Sequence, residues 1–179
     1  MINEKRVIKQ CIKGNKRFQR ILYEKYSPRM YPVCYRYAKN TNDAQDILQE
    51  TFITVFSKLA QFNDQGSFEG WIRKITVRCA IRHYQKNSKR TDNADIEHVK
   101  EQKINANILD EISAKEIIEL IAELPDGYRI VFNLYSIEGY SHKEISETLG
   151  ITESASRSQL TRARKLLIQK LEKIQTQLV

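Results

Sequence analysis

Cysteine is scarce in this chain: Cys11, Cys34 and Cys79 are odd in number and far apart, which argues against a disulfide framework or a CxxC metal knuckle. Cys79 and His83 share one helical face at i, i+4, but no second ligand pair accompanies them, so they read as packing residues and no metal or other cofactor is expected. Histidine is equally thin: His83, His98 and His142 have no paired nucleophile or carboxylate constellation. No glycine-rich loop is available to cradle a phosphate. A binding protein without an active site is expected. Long apolar runs are missing too, since no window approaches the roughly 20 residues of a membrane span. Met1–Arg6 lacks the hydrophobic stretch of a secretory signal, which points to a cytoplasmic chain.

Charge is abundant. Thirty Lys and Arg face 22 Asp and Glu across 179 residues, a net charge of +8, which suits a polyanionic partner. It is unevenly spread: +12 over Met1–Arg90, −6 over Thr91–Glu123 and +2 over Leu124–Val179. Two basic blocks therefore flank an acidic one.

With only six glycines and three prolines, the intervals between breakers read at helical period, and the chain is expected to be all-α. Two small helical domains are expected, 1–89 and 108–179, joined by an acidic, poorly periodic linker over 90–107. In the first, helices are expected over Glu4–Lys13 and Arg17–Tyr26. Pro28 and Pro32 should then interrupt the chain before a short aromatic-rich helix, Tyr31–Lys39. Asn42 or Asp43 can cap a helix burying Ala44, Ile47, Leu48, Val55, Phe56 and Leu59. A loop over Gln61–Gly70 should lead into a helix of about Trp71–Gln85. In the second domain the helices read as about Leu109–Glu123, one marked by Tyr128, Val131, Phe132 and Tyr135, a short one opened by the capping box Ser141–Glu144, and a last one from Thr152 to about Ile174. Gly150 turns the chain between the final two, forming a helix-turn-helix from about 141 to 165.

Three surfaces follow. On the last helix Leu160, Ala163, Leu167, Leu171 and Ile174 cluster inward at 100° per residue. Ser158, Thr161, Arg162 and Lys165 then face outward with Arg157 and Arg164 on the flanks, a face that suits duplex DNA. In the first domain Phe62, Phe68 and Trp71 lie beside Arg73, Lys74, Arg78, Arg82 and Lys86; such aromatics next to a cationic stripe suit unstacked bases, at about 1–3 kcal/mol per stacked base. Asp46, Gln49 and Glu50 make an acidic patch at i, i+3, i+4 inside a basic domain, suited to docking on a basic helix.

Taken together, Asp43–Phe52, Phe62 through Gly66-Ser67-Phe68 to Trp71–Ile75, Leu124-Pro125 and Arg157–Arg164 resemble, in order and spacing, an extracytoplasmic-function (ECF) sigma factor of the sigma-70 family. That resemblance implies a promoter-specificity subunit of bacterial RNA polymerase, not an enzyme, with a sigma-2-like and a sigma-4-like domain. It implies docking on the β′ clamp helices through Asp46, Gln49, Glu50 and Phe52, with the β flap as a further polymerase contact. It also implies capture and melting of the −10 element by Phe62, Asn63, Asp64, Phe68, Trp71, Lys74, Arg78 and Arg82. Reading of the −35 duplex falls to Arg157, Ser158, Thr161, Arg162, Arg164 and Lys165, and an anti-sigma factor, of the kind that can be membrane-tethered, is implied as a partner. Arg78 stands where many members carry Asn, and Ser156 where Val is frequent. The alternatives from the residues alone are a stand-alone helix-turn-helix regulator that binds duplex DNA without polymerase, or a nuclease, for which clustered carboxylates are not evident.

Overall fold

The computed structural model describes residues 4–88 and 114–177. The expected linker at 90–107 and the expected domain start at 108 lie outside the described residues. All regular structure within them is helical, and the chain divides into two units, Met1–His83 and Tyr84–Val179.

The first unit is built from α1 (Glu4–Ile12), α2 (Lys16–Tyr37), α3 (Thr41–Lys58), a 3-10 turn at Leu59–Gln61, and α4 (Phe68–Ser88), inside which the division falls. Asn15 caps α2 by accepting from the Arg17 amide. Pro28 and Pro32 lie inside α2, so the break expected there does not occur. An interior proline costs about 3 kcal/mol. Burial of Leu22, Tyr26, Met30, Val33, Cys34 and Tyr37 on both sides of the prolines, at about 1.5–3 kcal/mol per large side chain, outweighs that cost. These residues seat α2 between α1 and α3. The cap of α3 is Asn40, which accepts from the Asp43 amide at 2.9 Å, and not Asn42 or Asp43. From it Ala44, Ile47, Leu48, Val55 and Leu59 of the expected stripe are buried, together with Thr51 and Phe52, while Phe56, expected with them, is half-buried.

Helix α4 begins three residues earlier than expected because the Ser67 hydroxyl accepts from the Gly70 amide at 3.1 Å, as a capping side chain does. Ile72, Ile75, Thr76, Val77, Cys79, Ala80 and Ile81 are buried around most of its circumference. Between Ile72 and Arg82 the exposed positions are Lys74, Arg78 and Arg82 alone. All three cysteines are free and buried, and burial pushes the Cys34 thiol up to about 12.

The second unit comprises α5 (Ala114–Ala122), α6 (Asp126–Phe132), α7 (His142–Leu149) and α8 (Glu153–Gln177), with α5, α6 and α7 all packing on α8. Its core is Leu120, Ile121, Leu124, Ile130, Val131, Leu134, Ile145, Leu160, Ala163, Ile168 and Leu171. Buried Arg129 closes the α5–α6 corner, donating to the carbonyls of Ala122 and Leu124 at 3.0 and 2.8 Å and pairing with Asp126 at 2.6 Å. A π turn, Asn133–Ile137, continues α6; the Glu138 amide donates to the Asn133 carbonyl at 3.0 Å. The extra residue per turn shifts the helical phase. Ile130, Val131 and Leu134 are buried, while Tyr128, Phe132 and Tyr135, expected with Val131 to mark this helix, are half-buried.

Candidate nucleic-acid interface

The helix-turn-helix is set by local chemistry. Ser141 accepts from the Glu144 amide at 3.2 Å, and the Glu144 carboxylate accepts from the Ser141 amide at 2.8 Å and hydroxyl at 2.7 Å. Those bonds hold the Glu144 carboxyl below its ordinary pKa. Gly150 ends α7 at φ 70°, a conformation that costs a side-chain-bearing residue about 1–2 kcal/mol. The Thr152 hydroxyl then accepts from the Ala155 amide at 3.0 Å and starts α8.

Along α8 the observed face is rotated from the expected one. Arg157 and Arg164 are exposed, not flanking; Ser158, Thr161, Arg162 and Lys165 are half-buried. Arg162 turns inward, its Nη1 lying 3.4 Å from the Tyr128 hydroxyl on α6. Ile168 is buried, and Leu167, expected inward, is half-buried. Arg157 pairs with Glu153 one turn back at 2.5 Å, and the Thr161 hydroxyl donates to the Arg157 carbonyl. Arg164 lies over the Tyr135 ring, 5.7 Å from its centroid. The Tyr135 ring stacks on His142 at 4.4 Å and 22°, and His142 Nδ1 is 2.9 Å from the hydroxyl of the buried Ser156. Burial, then the charge of Arg157, holds the His142 pKa below its ordinary value.

In the first unit Phe62, Phe68 and Trp71 form one aromatic cluster. Phe62 meets Phe68 edge-on at 5.0 Å and Trp71 at 5.5 Å, while Phe68 and Trp71 stack at 5.7 Å. Phe68 is buried and also packs edge-on against Tyr26, so it supports the cluster from within and has no free face for a base. Phe62 and Trp71 are half-buried at the surface, with Asn63 and Asp64 exposed. Asp64 adopts φ 62°, an uncommon backbone for a residue other than glycine. It pairs with Lys5 of α1. Lys74, Arg78 and Arg82 run down α4 from this loop, and Arg82 reaches Glu50 of α3 at 3.4 Å.

Asp46 and Gln49 are exposed and Glu50 is half-buried on α3. Phe52, expected beside them, is core: it is 3 % exposed and meets Tyr23 edge-on at 4.7 Å. Ile53, which sequence reasoning missed, is 68 % exposed. It falls on the line of Asp46, Gln49 and Glu50 at i+7, i+4 and i+3, a spacing already present in the sequence. Among the described residues no group of three or more His, Cys, Asp or Glu is placed to hold a metal ion. His83 instead lies 3.4 Å from Asp43. No helix among the described residues is long and apolar enough to cross a membrane.

Comparison with known proteins bears on both halves. The family model "Sigma-70 region 2" matches residues 22–90 and "Sigma-70, region 4" matches residues 114–167. The ECF RNA polymerase sigma factor SigE of Mycolicibacterium smegmatis is 31 % identical over 151 residues, 82 % of this chain and 58 % of that protein. The RNA polymerase sigma-H factor of Pseudomonas aeruginosa is 25 % identical over 182 residues, covering 94 % of each chain. Among solved structures, the sigma factor RpoE in complex with the anti-sigma factor NepR from Bartonella quintana covers 87 % of this chain and 96 % of its own, at 18 % identity and a TM-score of 0.46. Two region models in the same order along the sequence, with relatives that span nearly all of it, place this chain in the ECF branch of the sigma-70 family of RNA polymerase sigma factors.

Proposed function

We propose that this chain joins core RNA polymerase and directs initiation by reading the −35 element as duplex and opening the −10 element. The observation that carries the reading is α4: over its middle three turns the exposed positions are Lys74, Arg78 and Arg82, beside the Phe62–Trp71 cluster. A helix that solvates itself with one cationic line, next to two aromatic faces, suits a single strand with extruded bases. Asn63 and Asp64 at the loop tip supply polar groups for a flipped base. Phe68 holds the aromatic cluster from behind. Arg157, Arg164, Ser158, Thr161 and Lys165 meet the −35 duplex, and Arg162, restrained by Tyr128, contributes from the rim.

Asp46, Gln49 and Glu50 dock on a basic helix of polymerase, with Ile53 in the role that the buried Phe52 cannot fill. The β′ clamp helices are the proposed seat, and the β flap the proposed second contact. Polymerase supplies the bond-making and this chain the positioning, so it is not itself an enzyme. It works in the cytoplasm and is held in check by an anti-sigma factor of the kind that can be tethered to a membrane. The test is reconstitution: purified chain and core polymerase on a library of genomic fragments should give transcripts from discrete promoters. Absence of promoter-dependent transcripts, with tight duplex binding by the free chain, would instead establish a stand-alone regulator.

A further inference from the structure

We infer that Tyr135 is a positioning residue for Arg164, a platform that aims the guanidinium at the duplex; the inference rests on the reading of α8 as the −35 face. Three elements converge on this ring. The π turn places Tyr135 half-buried beside the start of α7, where its ring stacks on His142 at 4.4 Å. His142 is anchored in turn by Ser156, whose hydroxyl lies 2.9 Å from Nδ1 and whose side chain is fully buried in α8. Arg164, two turns further along α8 and exposed, lies with its guanidinium over the same Tyr135 ring, 5.7 Å from the centroid.

Ser156, His142, Tyr135 and Arg164 thus close a circuit that leaves α8 and returns to it. A long cationic side chain on an exposed helix face ordinarily samples many rotamers and loses that freedom on binding. Here an aromatic face, itself fixed by a stack and a buried hydroxyl, holds the cation before DNA arrives.

The test is a double-mutant cycle on the full chain bound to core polymerase, reading affinity for a promoter duplex, with thermal unfolding of each variant alongside. Tyr135→Leu should weaken binding about three- to five-fold, the size of an exposed cation–π contact, and Tyr135→Phe should restore it to within about two-fold of the parent. In an Arg164→Ala background Tyr135→Leu should cost nothing further. Tyr135→Met carries the same expectation if the leucine variant does not fold. An equal loss in both backgrounds would make the ring merely structural and overturn the inference. A silent Tyr135→Leu beside a damaging Arg164→Ala would overturn it while sparing the −35 reading. A silent Arg164→Ala would remove Arg164 from the DNA face and the inference with it.

Discussion

His142 gives the residue scale its clearest pH signature. Burial and the neighbouring Arg157 charge hold its folded pKa below the ordinary 6.5. As pH falls past 6.5 the unfolded chain takes up a proton before the folded one does, so stability present at pH 7 is lost progressively down to the folded value. Urea unfolding at pH 7 and pH 5.5 should register this loss, and His142→Gln should shrink it; an identical pH slope in the variant would refute the assignment. Arg129 is a second single-residue lever, because one guanidinium serves two carbonyls and a carboxylate at the α5–α6 corner. Arg129→Met keeps the bulk and strands the carbonyls. A loss of about 1.5–3 kcal/mol in urea unfolding is expected, the range for hydrogen bonds to a charged group.

On the scale of elements, α3 is the helix to which the proposal assigns polymerase docking. Asp46→Arg with Glu50→Arg should abolish co-purification with core polymerase while the circular dichroism and melting curve stay those of the parent, and Ile53→Asp should weaken it on its own. The differences between sequence reading and structure also sort by element. Motifs closed within about four residues were legible: the Ser141–Glu144 box, Gly150 and the Thr152 cap each satisfy their own backbone groups. Features decided by what packs across the unit were not. Pro28 and Pro32 read as breakers because the burial that overrides them comes from α1 and α3. The π turn leaves no periodic trace, and within it Tyr135 is half-buried and stacks on His142. Phe52 and Phe68 looked like contact residues because an aromatic beside a functional motif reads alike whether it faces the partner or the core; both are 3 % exposed.

For the whole molecule, the net charge of +8 says less than where it is displayed. The second block carries only +2, so its proposed DNA face depends on the exposed Arg157 and Arg164. Strand opening is assigned to the other block, and the two tasks separate experimentally. Phe62→Ala with Trp71→Ala should cut transcription from a fully paired promoter, and a template with its −10 region already unpaired should recover most of it. If the pre-opened template gave no recovery, those aromatics would not be acting in melting. The helix α4 has one more consequence. Its buried sides are fixed by the core, while Lys74 and Arg78 are exposed; Arg82, also exposed, pairs with Glu50 at 3.4 Å and donates to the Cys79 Sγ at 3.3 Å. Lys74 and Arg78 behave as interchangeable type set in a rigid block: randomised together, they should yield a library of variants that fold alike and differ in which promoters they open.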